Sequence, residues 1–145
     1  MSSKFGFKVD PSIRELLKRV SGAKSKAQNT GPLMAKISVY LDQWNKVNFS
    51  TEGGKVGGWE KLALGGRRVK GGGVDTSAQI LRDTGTLQLS FLPWSTKDEA
   101  GIGSKLPYSL YHNEGKGHLP QRRMVPLEQE VIEDIKKIAT AHIKR

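Results

Sequence analysis

Nine of the chain's 17 glycines fall between positions 53 and 73, in a stretch that also carries Lys55, Lys61, Arg67, Arg68 and Lys70. Glycine loses more backbone freedom on folding than any other residue, and this stretch has few apolar side chains whose burial could offset that loss. Residues 50–74 are therefore predicted to form a long, mobile, glycine-rich basic loop. The fold has to be built from what flanks it. Trp59, Leu62 and Leu64 interrupt the polar run. Large apolar groups in such a setting predict an anchor that docks on the body of the protein or on a partner.

The flanks carry helical periodicity. Upstream, Leu33, Met34, Ile37, Tyr40, Leu41, Trp44 and Val47 recur at spacings of three and four, the signature of one buried helix face. Residues 1–31 are basic. Asp10 as N-cap, Pro11 at the first helical position and apolar residues at 13, 16, 17 and 20 predict an amphipathic helix there. Whether it joins the next helix or is broken from it near Gly31-Pro32 stays open. Downstream, Leu127, Val131, Ile135, Ile138 and His142 form a stripe from 127 to 142, with acids at the N-terminal end and bases at the C-terminal end, as the helix dipole favours. Between these, Asp75 or Thr76 is expected to cap a short helix through Ala78, Ile80 and Leu81. Leu87, Leu89 and Phe91 alternate with polar residues at strand period, which predicts a β-hairpin over 87–105. Pro107 to Gly115 reads as a helical turn or two with Leu106, Leu110 and Tyr111 facing inward, and Pro120 to Pro126 as an extended stretch. The expected class is α+β: a small antiparallel sheet packed against long N-terminal and C-terminal helices, as one domain over 1–145.

Several chemistries are excluded by composition. The chain has no cysteine, which removes disulfides, thiol catalysis and thiolate metal sites. No stretch approaches the ~18 apolar residues of a membrane span, and no signal peptide is apparent. A formal charge of +10 raises nucleic acid or acidic protein partners as candidates. His112 and His118 are six residues apart with glycines between them, unlike the four-residue spacing that places two ligands on one helix face, so no metal site is expected. Gly101-Ile-Gly-Ser-Lys departs from the phosphate-loop pattern, the triple glycine at 71–73 follows no predicted strand, and no nucleophile elbow occurs. The expectation is a protein without catalytic residues or cofactor. Trp59 interleaved with Lys55, Lys61, Arg67, Arg68 and Lys70 suits contacts to a partner or to DNA, although no helix-turn-helix, zinc finger or ribonucleoprotein motif accompanies it.

One set of motifs goes further. Ile80-Leu-Arg-Asp-Thr-Gly-Thr-Leu-Gln-Leu-Ser-Phe, then Tyr108-Ser-Leu-Tyr-His-Asn-Glu-Gly, then Pro120-Gln-Arg-Arg-Met follow one another at spacings that resemble the phage virion morphogenesis family of tail completion and neck proteins. Thr84, Gly85, Leu87 and Ser90 match the first element, Tyr108, His112 and Gly115 the second, Pro120 and Arg122 the third. Phe49-Ser-Thr-Glu-Gly with Trp59 and Leu62 is similar to the family's upstream aromatic stretch. The likeness covers about residues 33 to 144. Ser109 stands where the family often has alanine and Met124 where it often has phenylalanine.

The resemblance implies a structural virion protein, assembled in the host cytoplasm, that forms a ring with copies of itself at the head–tail neck or the head-proximal tail end. Neighbouring neck, connector or tail-tube proteins would be its partners, with DNA passing through the lumen as a further candidate and no membrane. Under it, Gly85 and Gly115 are expected in left-handed conformation after helical stretches, His112 to cap or bond a neighbouring turn, and Arg122 to fork onto a carboxylate of the last helix or of a neighbouring subunit. A free nucleic-acid-binding protein is the alternative.

Overall fold

A computed structural model describes residues 4–82 other than 9–29, and residues 84–143. The expected helix from Asp10 to Val20, and the question of whether it continues into the next, lie outside the described residues. The elements are β1 (Lys4–Lys8), α1 (Gly31–Ser50), a 3-10 turn (Gly54–Val56), β2 (Arg67–Arg68), β3 (Val74–Asp75), α2 (Thr86–Leu89), β4 (Phe91–Ser95), β5 (Glu99–Ser104), α3 (Pro107–Glu114) and α4 (Glu128–Ile143). The larger sheet is antiparallel, in the order β1-β5-β4, and β2 pairs with β3 in a separate ribbon. The class is α+β, as expected.

The described residues form two compact units. One gathers Trp44–Leu92 with Gly103–Val125, the other 4–8, 30–43, Pro93–Ile102 and 126–143.

In the second unit, Leu33, Met34, Ile37 and Leu41 of α1 are fully buried, as are Val131, Ile135 and Ala139 of α4. Each set recurs at three- and four-residue spacing, so burial follows directly from periodicity. Of the expected α4 stripe, Leu127 is 45% exposed because it precedes the helix, where its N–H donates to Glu130 Oε1 at 2.8 Å in half of a capping box. The hydroxyl of Tyr40 donates to Asp134 Oδ2 at 2.8 Å. Burial first, and then that bond, push its ionisation well above the usual phenol range. β1 was not anticipated, although Lys-Phe-Gly-Phe-Lys alternates at strand period. Gly101 of β5 lacks a side chain for a packing reason, since a Cβ there would collide with the Phe5 carbonyl and the Trp94 ring.

In the first unit the chain is mostly irregular and its core is mixed. Phe49 packs edge-on against Trp59 (ring centroids 5.3 Å apart) and at a tilt against Phe91 (5.8 Å). The C-terminal end of α1 closes with Gly53 N donating to Asn48 O and Glu52 N to Phe49 O, the paired bonds of a Schellman ending. That ending puts Glu52 at φ 50°, where glycine is the usual occupant. A carboxylate stands there because Glu52 Oε1 accepts the Ile80 N–H at 3.3 Å, tying the distal arm of the loop to the helix end.

Three expectations need correction in this unit. Residues 86–89 form a helical turn instead of the start of a strand, so the hairpin begins at Phe91. Leu87 is buried while Leu89 is 78% exposed, which a strand of that phase would not produce. No helix forms through Ala78 to Leu81; Asp75 Oδ1 accepts from both the N–H (2.9 Å) and the hydroxyl (2.6 Å) of Ser77, a local turn that competes with helix. In α3 the buried residue is Ser109, whose hydroxyl donates to Leu106 O at 2.7 Å, whereas Tyr111 is half exposed.

Candidate functional site

Residues 122–124 organise the first unit. The Arg122 guanidinium, 7% exposed, donates through Nε (3.0 Å) and Nη2 (2.7 Å) to Glu60 O and again through Nη2 to Lys61 O (3.3 Å). The expected fork onto a carboxylate of the last helix is replaced by a fork onto backbone carbonyls of the glycine-rich segment. Irregular backbone entering a core leaves acceptors that water no longer reaches, and a planar five-donor cation satisfies several at once. Arg123 O accepts from Trp59 Nε1 and from Asn48 Nδ2, each at 2.9 Å, and Met124 O accepts from Asn45 Nδ2 at 2.8 Å. Asn113 Oδ1 takes the Met124 N–H at 2.8 Å and the Val125 N–H at 3.3 Å.

Trp59 is thus an anchor on the body. It is 6% exposed, and Gly53 at φ 89° leaves the space its ring occupies, so its expected role as a contact to partner or DNA would require it to leave this position. Of the other expected contacts, Lys55, Lys61, Arg68 and Lys70 are exposed and Arg67 is half-buried, donating to Gln79 O at 3.0 Å.

Six of the nine motif positions, drawn from all three elements, meet in one open cleft of about 350 Å³: Thr84, Gly85, Leu87, Tyr108, His112 and Arg122. Arg67 joins them, with Leu62 and Leu81 supplying apolar wall. Gly85 is left-handed at φ 80° and precedes α2. The Thr84 and Thr86 hydroxyls lie 2.8 Å apart at the rim. Tyr108 is 44% exposed, and the backbone of His112 is held by Arg122 N donating to its carbonyl at 2.8 Å.

The remaining three motif positions shape this region without lining the cleft. Ser90 donates to Leu87 O at 2.6 Å and lies 2.6 Å from the Ser104 hydroxyl, locking the turn to β5. Gly115, at φ 69°, ends α3 with its N–H on Tyr111 O, and a Cβ there would press on the backbone of Gln121. Pro120 is half-buried in the segment that follows.

His112 departs from the expected capping role. Its Nδ1 is enclosed and has no hydrogen-bond partner among the described residues. Burial, then the neighbouring Arg122 charge, holds its pKa below the ordinary histidine value, so the ring is neutral near pH 7. An unpaired buried acceptor is tolerated better than an unpaired buried N–H, which places the ring proton on Nε2. Burial likewise lowers the pKa of Arg122, an effect partly opposed by Glu60, but a guanidinium stays charged at any ordinary pH.

Leu81 is a residue that pattern reading missed. It lies at φ 60°, one of two positive-φ non-glycine residues among the described residues, the other being Glu52, whose side chain holds the adjacent Ile80. Left-handed leucine costs roughly 1–2 kcal/mol and persists only where surroundings impose it, commonly at sites of function. Among the described residues no three His, Asp or Glu side chains gather as metal ligands would, and no helix is long and apolar enough to cross a membrane. Comparison with models of known protein families, with curated proteins and with solved structures finds no match.

Proposed function

We propose that the protein is a non-enzymatic structural component of a tailed phage virion, forming a ring at the head–tail neck or the head-proximal end of the tail and needed to join heads to tails. The observation that carries this reading is convergence. Thr84 to Leu87, Tyr108 to His112 and Arg122 resemble the virion morphogenesis motifs in order and spacing, and these separated stretches meet in a single cleft. Unrelated matches scattered along a chain would have no reason to gather. The roles the cleft residues play, backbone satisfaction and donor display, need no catalysis. A ring follows from head-to-tail subunit contacts closing on themselves under cyclic symmetry.

The test is genetic and visual. Particles made without the protein should accumulate as unjoined heads and tails, and images of complete particles should contain a ring of this fold at the junction. Complete, infectious virions lacking it would overturn the reading. The exposed cations Lys55, Lys61, Arg68 and Lys70 favour a second reading, a free nucleic-acid-binding protein acting through charge. In that case the isolated protein should bind duplex DNA with an affinity falling steeply between about 50 and 200 mM salt. With Trp59 enclosed, base stacking contributes nothing to it.

A further inference from the structure

The cleft that gathers the motif residues is chemically uneven in an informative way. One part of its wall is Leu62, Leu81 and Leu87; the rest is Tyr108 and Thr84, both exposed, Arg67, half-buried with Nη2 on Gln79 O, and Arg122, buried, so that two guanidinium groups line the same cleft. His112 adds a donor to this lining: with Nδ1 enclosed and unpartnered, the ring proton is best placed on Nε2. Arg122 spends its guanidinium bonds on carbonyl oxygens, which are neutral, and the carboxylates that act on the two guanidinium groups, Glu60 on Arg122 and Asp75 on Arg67, are not among the residues that line the cleft.

We propose that this cleft is a carboxylate-binding site that seats an acidic side chain, with its apolar neighbours, from another polypeptide. Hydroxyl and imidazole donors lining a cleft that two guanidinium groups also line call for an anion. The leucine wall argues for a peptide over a nucleic-acid backbone: the aliphatic carbons of a glutamate and the residue beside it gain from contact with leucine, whereas a hydrated phosphodiester chain does not. A volume of about 350 Å³ lies at the small end of ligand pockets and suits one or two side chains. The strained backbone at Leu81 fits a wall shaped for an occupant. The inference rests on the neck reading only in taking the occupant to be a partner subunit.

The test uses the full chain with ¹⁵N-labelled histidine, read by NMR, with His118 and His142 as internal controls. The probe is a short capped peptide alternating leucine and glutamate, compared with the same peptide carrying glutamine, with glutarate, with inorganic phosphate and with duplex DNA. The glutamate peptide should shift the His112 ring saturably and leave His118 and His142 in place, and the glutamine peptide should bind about tenfold more weakly, since charge-assisted hydrogen bonds exceed neutral ones by about that factor. Tyr108→Phe and Arg67→Gln should each weaken the glutamate peptide severalfold while an unchanged circular dichroism spectrum and urea midpoint report an intact fold.

Equal binding of the two peptides, or no saturable shift at His112, overturns the site. Tighter occupancy by DNA or phosphate overturns the carboxylate assignment, and glutarate binding as well as the peptide overturns the polypeptide one. Loss of peptide binding would leave the neck reading to the particle experiment. Virions complete without the protein would sink that reading and leave a measured carboxylate affinity standing.

Discussion

The two units keep their cores by different means. In the second, α1 and α4 bury chiefly Leu33, Met34, Ile37, Leu41, Val131, Ile135 and Ala139, and its buried polar side chains are two hydroxyls, Thr30 and Ser38, which donate to Lys97 O and Ala35 O. In the first, Asn45, Asn48, Ser104, Ser109 and Arg122 are buried beside Phe49, Trp59 and Phe91. Helices pair their own backbone, so their cores are free to be apolar; irregular chain must be given partners, and side-chain amides and a guanidinium supply them. The lesson is that glycine-rich sequence enters a core here only with polar side chains to receive it.

That contrast breaks most severely at Trp59. Replacing it with alanine removes both the aromatic contact with Phe49 and the donor to Arg123 O, and should cost roughly 3–5 kcal/mol in urea unfolding. A loss below about 1 kcal/mol would mean that the segment is not held through this ring. The intermediate test exchanges shape-matched residues in each unit. Asn48→Leu leaves Arg123 O and Lys55 N without the amide that serves them and should cost roughly 1–3 kcal/mol, whereas Leu41→Met should cost less than about 1.5 kcal/mol. Equal costs would erase the distinction between the cores.

The smallest effect is a pH dependence confined to the first unit. In the unfolded chain a histidine takes up its proton as pH falls through about 6.5. Burial and Arg122 resist that uptake at His112 in the folded chain, so the unfolded state binds more protons there. Stability should fall as pH drops below about 6.5, until the folded ring's own lower pKa is passed. The urea midpoint of the native protein should decline over that window, and His112→Asn should flatten the decline. Identical slopes in the two proteins would show that the ring is not resisting its proton.

The sequence was legible where one rule governs many residues. α1 and α4 were found because a 3.6-residue period repeats over four or more turns, and a single misfit such as Leu127 changes little. The four residues of α2 could not be found that way: Leu87 and Leu89 fit a strand as well as a helical turn, and only the left-handed Gly85 and the Ser90–Ser104 bond decide between them. The motif positions were legible as a set, yet their meeting place was not, since nothing in spacing says that Tyr108 and Thr84 share a cleft. Arg122 was expected to seek a carboxylate because carboxylates are visible in a sequence; carbonyls are not, as every residue carries one. Asn45 and Asn48 left a signal that could have been used, because each lies four residues after an apolar position of the buried face, Leu41 and Trp44. A polar amide on such a stripe announces backbone that must be met.

The run Arg122-Arg123-Met124 also sets an order of events. Its bonds reach back 62 residues to Glu60, 64 to Trp59, 75 to Asn48 and 79 to Asn45. During synthesis none of these can form until that run has left the ribosome, so Trp59 and the end of α1 wait through the making of about half the chain with their partners absent. Contacts of such separation slow folding because the intervening chain must close before any reward is gained. The short cationic stretch that fastens the glycine-rich segment is therefore the clock of this unit, and a chain released just before it would hold every aromatic of that core without the carbonyls that receive Trp59 Nε1 and the amides of Asn48 and Asn45.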